Sequence, residues 1–163
     1  DASSISAFRT RMDTPGTCHT QTNPCLDMYY IGIDTGTHTG IAVWSSAERK
    51  LVSVETKAIH AAMRDVLRWH REHPGEVFVR FEDARLRNWF GSAGREKLQG
   101  AGSIKRDCQI WEDFLTDAQI PFAGVPPRKN LTKIPARSFA CITGWRGRCS
   151  QHARDAAMLV FGM

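Results

Sequence analysis

Residues 31–40 have the sequence IGIDTGTHTG, which predicts a core strand and the turn that follows it. The two isoleucines are separated by one residue, as in a strand with one buried face, and the strand ends on the carboxylate of Asp34. Gly36 and Gly40 would let the main chain approach a phosphate group closely. Asp-x-Gly is also ordinary turn chemistry, so this segment alone indicates a site without defining its function.

A second apolar strand ends on a carboxylate at residues 77–82, where the sequence is VFVRFE. Glu82 lies on the opposite face from the two valines and the last phenylalanine. A carboxylate at the end of a half-buried strand needs a cation, either a metal ion or a basic side chain such as Arg80 or Arg85. Asp83 points the other way, so we favour Glu82 as the metal ligand.

The late segment 152–157, with the sequence HARDAA, predicts a helix that carries a pair of ligands. His152 and Asp155 are three residues apart and therefore face the same way. The alternatives are a surface histidine and an aspartate that stabilises the helix N-terminus. Together with Asp34 and Glu82, however, the pair forms the set that a divalent-metal phosphodiesterase needs.

Composition and charge favour a polyanionic substrate. The chain has 163 residues, 42% of them hydrophobic, which suits one globular domain with a substantial core. Its net charge is +5, and residues 121–154 hold seven basic residues and no acidic one. Residues 85–106 hold six basic residues against one acidic residue. Basic stretches beside acidic ligands suggest DNA brought to a metal site, although a solvated basic face is the alternative.

The cysteines and the N-terminal segment indicate where the protein works. Five cysteines without compact spacing suggest a reducing compartment, and we expect the cytoplasm. No apolar run is long enough for a membrane span, so we expect no membrane partner. Residues 1–27 are polar and without a sustained period, which predicts an extension of low order before a single domain at 28–163.

The remaining pattern predicts an α/β fold with a mixed five-stranded sheet and helices on its faces. A meander of three strands comes first, and helices then alternate with strands. At least part of 84–101 is predicted to be a loop, because it contains several glycines. The predicted strands are 29–34, 38–45, 50–56, 76–82 and 120–125, and the predicted helices are 59–73, 103–118, 135–143 and 150–161.

The three ligand-bearing segments, in this order, resemble RuvC-type Holliday-junction resolvases of bacteriophages and related mobile elements. The first motif is matched by Ile33-Asp34-Thr35-Gly36 with Thr39-Gly40, the second by Phe81-Glu82-Asp83, and the third by residues 152–157. Thr143-Gly144-Trp145 is similar to a stretch that phage members often carry before the last motif. The resemblance covers residues 29–162 and leaves the N-terminal segment outside.

The resemblance implies an RNase H-like fold with helices on both faces of the sheet, and a homodimer that nicks four-way or branched DNA junctions symmetrically. It implies two ions of Mg²⁺ or Mn²⁺ per site and products with 5′-phosphate ends, in DNA recombination, repair or phage DNA processing inside a bacterial host cell. Asp34 would bridge the ions, Glu82 would hold one, and Asp155 and His152 would hold the other. His152 departs from the all-carboxylate members, and imidazole favours Mn²⁺ over Mg²⁺.

Basic and aromatic side chains near the predicted loops are candidates for DNA contacts. Trp89 and Phe90 could stack on an opened base, and the alternative is that they pack in the core. The basic residues would neutralise phosphates of the junction arms. The candidates are Lys105, Arg106, Arg128, Lys129, Lys133, Trp89 and Phe90.

Three other functions remain open on the sequence. The first motif also resembles the phosphate loop of the actin, Hsp70 and sugar-kinase superfamily, but those proteins need two such halves around a nucleotide. Another RNase H-like nuclease, either an RNase H or a 3′-exonuclease, would use the same ligand set. A junction-binding protein with a degenerate site would bind DNA without cleaving it.

Overall fold

The computed structural model describes residues 27–86, 95–127 and 133–163, and at 95–101 only the main chain. Five strands and four helices follow one another within these ranges, with a short 3₁₀ turn at Ala84–Leu86. The elements are β1 (Tyr29–Asp34), β2 (His38–Ser45), β3 (Lys50–Ala58), α1 (Ile59–Glu72), β4 (Val77–Glu82), α2 (Arg95–Asp117), β5 (Phe122–Val125), α3 (Ala136–Thr143) and α4 (Gln151–Met158).

The strands form one mixed sheet in the order β3-β2-β1-β4-β5. The meander pairs β1 with β2 and β2 with β3 antiparallel, whereas β1 with β4 and β4 with β5 are parallel. The predicted α/β fold with a five-stranded mixed sheet is therefore confirmed, and the architecture is compatible with an RNase H-like fold. Because β1 and β4 are parallel neighbours, their carboxyl ends meet at one edge of the sheet.

Helices cover both faces of the sheet. On one face, α1 and α2 bury apolar side chains against β1 and β4. On the other, α3 and α4 pack against β2 and β3, largely through small residues of α4. The first core includes Ile31, Ile33, Val66, Val79, Phe81, Cys108, Trp111 and Leu115, and the second includes Trp44, Leu51, Phe139, Ala153, Ala156 and Ala157.

Helix α2 is longer than the sequence predicts. It begins at Arg95, so the predicted start at residue 103 is late, and residues 95–101 of the stretch that was predicted to be partly a loop are helical. Each glycine inside a helix costs about 1 kcal/mol relative to alanine, which is why the pattern indicated a loop. The fully buried Cys108, Trp111 and Leu115 anchor the helix to the sheet and offset that cost.

The N-terminal extension predicted at 1–27 lies, except for its last residue, outside the described residues. Within the described ranges no helix is both long enough and apolar enough to cross a membrane. Cys108, Cys141 and Cys149 are free thiols. The homodimer predicted from the resemblance remains a prediction.

Candidate active site

The ends of β1 and β4 bring Asp34 and Glu82 to one edge of the sheet. The last matched pair of these parallel strands is Ile33 and Phe81, so the register continues to Asp34 beside Glu82. Neighbouring strands lie about 4.8 Å apart. Ile33 and Phe81 both point into the core under α1 and α2. Their successors therefore both point to the opposite face, which α4 covers.

Helix α4 delivers an imidazole to this edge. Its N-terminus is capped by Ser150, whose hydroxyl accepts a hydrogen bond from the Ala153 amide at 3.2 Å. His152, in the first turn, places Nδ1 2.7 Å from Oδ2 of Asp34, a residue 118 positions earlier. The Asp34 side chain is 16% exposed and that of His152 is 56% exposed. The pair is thus anchored at the sheet and open to solvent on one side.

Two strand glycines let α4 lie directly on the sheet. A Cβ on Gly40 would be 2.0 Å from the carbonyl oxygen of His152, and one on Gly32 would be 2.0 Å from that of Ala156. Gly40 is also the β2 partner of Asp34. The sequence suggested that Gly40 leaves room for a phosphate. That interpretation is wrong, because the main chain of α4 fills the space. A Cβ on Gly36 would have no atom of the described residues within 4 Å.

The folded protein disfavours the ionised form of the Asp34 carboxyl. Burial raises the pKa of its carboxyl above the ordinary value, and the negative charge of Asp155 raises it further. The hydrogen bond and charge of His152 oppose these effects without cancelling them. A carboxylate that burial and a like charge disfavour is one that a bound cation would stabilise, and such groups cluster at functional sites.

Asp155 lies on the same helix as His152 and links it to the chain before α3. Its Oδ1 accepts hydrogen bonds from Gln151 Nε2 at 2.7 Å and from the Lys133 amide at 3.3 Å. Its influence on the pKa of Asp34 shows that it contributes to the potential there. His152 and Asp155, which were predicted to share one face of the helix, therefore both influence the pKa of Asp34.

Glu82 and Asp83 have different surroundings, as the sequence predicts from their opposite directions. The buried Asp83 accepts two hydrogen bonds of 2.8 Å from the Arg85 guanidinium, which lowers the pKa of this carboxyl. Arg85 also pairs with Glu112 at 2.6 Å. Asp83 is thus part of a structural ion pair, while the half-buried Glu82 ends β4 on the α4 side.

Thr35 and Cys108 hold the end of β4 and were not identified from the sequence. The Thr35 hydroxyl donates to the Glu82 carbonyl oxygen at 3.0 Å, and the Cys108 thiol lies 3.6 Å from the same oxygen. The thiol and hydroxyl are 3.4 Å apart. The Asp-Thr-Gly motif could have indicated Thr35, but nothing in the pattern around Cys108 connects it with Glu82.

The predicted DNA contacts are only partly within the described residues. Lys105 and Arg106 lie exposed on α2, and Arg106 makes a 3.5 Å ion pair with Asp107. Lys133 is exposed, has a positive φ of 77°, and reaches Asp155 through its main-chain amide. The other four candidates lie outside the described residues, and they are Trp89, Phe90, Arg128 and Lys129.

The donor chemistry of the edge fits a divalent ion. Two adjacent ligands of an octahedral ion with bonds of roughly 2.1 Å lie roughly 3 Å apart, and the Asp34 and His152 donor atoms are 2.7 Å apart. Across the described residues, His, Cys, Asp and Glu side chains do not form a ready group of three or more metal ligands. Glu82 and Asp155 would therefore have to turn toward the Asp34–His152 pair to complete the set.

No protein-family model matches this chain, and no curated protein is significantly similar to it. Function therefore has to be inferred from the residues at the sheet edge. There, the sequence motifs resemble those of resolvases, and the fold brings Asp34 and His152 together.

Proposed function

We propose that this protein is a divalent-metal-dependent endonuclease that nicks four-way or branched DNA junctions. The observation that carries the proposal is the contact between Asp34 and His152, which come from the first strand and the last helix. Parallel pairing of β1 with β4 supports Glu82 as their neighbour. The negative potential of Asp155 at Asp34 supports a site built to hold positive charge.

Each side chain has a defined task in this proposal. Asp34 would be a ligand of both Mg²⁺ or Mn²⁺ ions, Glu82 would hold one of them, and His152 with Asp155 would hold the other. Bound ions would supply an activated water and would neutralise charge on the phosphodiester. The sheet edge fixes Asp34, and the packing of α4 on Gly40 fixes the height of His152 above it. Prior positioning of this kind lowers the barrier of phosphoryl chemistry.

The junction specificity comes from the resolvase resemblance and from symmetry. Two nicks on strands of like polarity must be symmetry-related to leave ligatable products, and a homodimer supplies two such sites. The basic balance of the chain, with a net charge of +5, favours binding of DNA arms. The cytoplasm of a bacterial host is the setting we propose.

Substrate choice tests the proposal against its nearest rivals. Equal amounts of a labelled four-way junction, linear duplex, RNA–DNA hybrid and single-stranded DNA are incubated with the protein and Mn²⁺. Paired, symmetric nicks in the junction support a resolvase. Preference for the hybrid identifies an RNase H, and digestion from an end identifies an exonuclease.

A second candidate, a junction-binding protein without catalysis, is favoured by one observation. Asp34 already has a hydrogen-bond partner in His152, so the pair is satisfied without a metal ion. That protein would bind junctions equally well with and without a divalent ion and would leave them intact. Cleavage of the junction excludes it.

A further inference from the structure

A basic cleft lies between α3 and the segment that leads into α4. Its volume is about 590 Å³. Three arginines and an indole ring contribute to its lining, together with apolar side chains of α3. The lining residues that matter for its chemistry are Arg137, Phe139, Trp145, Arg146, Arg148 and Cys149.

The Thr-Gly-Trp stretch builds one wall of this cleft. The Thr143 hydroxyl donates to the Phe139 carbonyl at 2.8 Å and accepts from the Trp145 amide at 3.2 Å. Gly144 ends α3 in the left-handed region, with φ of 73°. A Cβ on Gly147 would be 2.9 Å from Trp145 Nε1, so the main chain lies flat against the indole. The motif therefore fixes the direction of the segment that carries the arginines.

The three arginines of this cleft carry positive charges that no described residue neutralises. Arg137 projects from α3, Arg146 and Arg148 come from the following segment, and all three are exposed. Among the described residues no ion pair or hydrogen bond engages any of their guanidinium groups, and no acidic residue lines the cleft. Guanidinium groups present paired donors that match phosphate oxygens, so an anion with several phosphates suits the cleft.

The cleft is tied to the candidate active site by short covalent and hydrogen-bonded links. Cys149 in its lining precedes His152 by three residues, so their Cα atoms lie within about 11 Å. Arg154 of α4 donates to the Cys149 carbonyl at 2.8 Å and to the Ile134 carbonyl at 2.9 Å. Successive nucleotides of one B-DNA strand rise by about 3.4 Å. The cleft is thus a few nucleotides away from the site.

We propose that this cleft binds backbone phosphates of the DNA strand that continues from the scissile phosphate, through Arg137, Arg146 and Arg148. This inference rests on the proposed function for its ligand. The cleft is separate from the metal ligands, and it serves to hold one arm of the substrate in register with His152. Phosphate contacts position a nucleic acid without reading its sequence.

The test is DNA binding in metal-free buffer, where cleavage does not interfere. Binding of a labelled junction is measured by fluorescence anisotropy over a series of salt concentrations. The variants are Arg146→Ala with Arg148→Ala, the same pair changed to Lys, and a matched control, Arg64→Ala with Arg71→Ala. The control removes two exposed arginines from α1, on the opposite face of the sheet.

Each phosphate contact contributes roughly 0.9 to the slope of log affinity against log salt. The Arg146/Arg148 alanine pair should reduce this slope by about 2. Between about 50 and 200 mM salt, wild type should then lose about tenfold more affinity than the variant. The lysine pair should retain most of the slope, because the charge remains, and the α1 control should match wild type.

An unchanged slope in the alanine pair, or an equal loss in the α1 control, overturns the inference. Cleavage by wild type is measured in parallel so that the two proposals fail separately. If wild type cleaves and the alanine pair has an unchanged salt slope, the cleft does not bind DNA but the nuclease proposal stands. If the alanine pair has a reduced slope and wild type does not cleave, the cleft binds DNA but the nuclease proposal is wrong.

Discussion

The carbonyl oxygen of His152 lies 2.0 Å from the point where a side chain on residue 40 would begin, so only glycine fits beneath it. Gly40 is in turn the strand partner of Asp34. The missing side chain on β2 therefore sets the height of α4 and places the imidazole within hydrogen-bond reach of the carboxylate. Helix packing and site geometry depend on the same contact.

Gly40→Ala should damage both stability and activity. The new methyl group has to push the main chain of α4 away from the sheet, and overpacking of this kind costs about 1–3 kcal/mol. His152 would move away from Asp34, so cleavage per folded molecule should also fall. Gly36→Ala is the control for stability, because among the described residues no atom lies within 4 Å of its Cβ. If both variants melt alike, Gly40 has no special role in the packing of α4.

Asp34→Asn should raise the melting temperature at neutral pH while it abolishes cleavage. The pKa of Asp34 is raised by burial, so the folded state disfavours the ionised form. The stability that the protonated carboxyl contributes is fully present below its ordinary pKa of 3.8, and is lost as pH rises through the higher folded value. Asparagine does not ionise and avoids that loss.

The melting-temperature advantage of Asp34→Asn should therefore shrink as pH falls from 7 toward 4. Thermal melts of both proteins across that range measure it. Mn²⁺ should stabilise wild type and not the variant, since bound ligand at about 100 times its Kd adds about 2.7 kcal/mol to the folded state. A variant that is less stable than wild type at every pH would show that the His152 hydrogen bond outweighs burial.

Glu82 and Asp83 form a matched pair for separating function from structure. Glu82→Gln should lower cleavage by at least about 100-fold, as expected for loss of a metal ligand, with little effect on melting. Asp83→Asn should cost about 2 kcal/mol of stability, because it removes charged hydrogen bonds to Arg85. Its cleavage per folded molecule should persist.

The pH dependence of Asp83 has the opposite sign to that of Asp34. Its pKa is lowered by Arg85, so its stabilisation is present above the ordinary value of 3.8 and is lost as pH falls through the lower folded value. Denaturant melts of wild type and Asp83→Asn should therefore converge in strong acid. Loss of cleavage in Asp83→Asn with unchanged stability would indicate that Asp83, and not Glu82, is the metal ligand.

His152 should set the metal preference of the proposed cleavage reaction. Imidazole suits Mn²⁺ better than Mg²⁺, so Mn²⁺ activity should equal or exceed Mg²⁺ activity in wild type. His152→Asp replaces nitrogen by oxygen at an exposed position and should shift the ratio toward Mg²⁺. Initial cleavage rates in each ion measure the ratio. Strong Mg²⁺ activity with none in Mn²⁺ would contradict this assignment.

The positions of the strands and the faces on which their side chains lie were predictable, because hydrophobic periodicity and turn chemistry are local properties of the sequence. The alternation around Ile33 and Phe81 places both on one face, and their successors Asp34 and Glu82 on the other, as the structure bears out. The Ser150 cap of α4 was predictable for the same reason, since it depends on one hydroxyl before one helix.

Other features depend on contacts between distant residues, which a local pattern does not contain. The function of Gly40 is set by His152, more than a hundred residues later, so the sequence alone suggested a phosphate instead. Helix α2 begins at Arg95, whereas its fully buried residues Trp111 and Leu115 lie near its other end. The link from Cys108 to the Glu82 carbonyl likewise exists only once α2 lies on the sheet.

The most direct test of the proposed nuclease function is cleavage of a labelled synthetic four-way junction by wild type and Asp34→Asn in Mn²⁺. The two proteins are used at equal folded concentration, with binding of each checked in metal-free buffer. We expect paired, symmetric nicks with 5′-phosphate ends for wild type and intact, bound junctions for the variant. Junctions left intact by wild type, or cut equally well by Asp34→Asn, would contradict the proposed function.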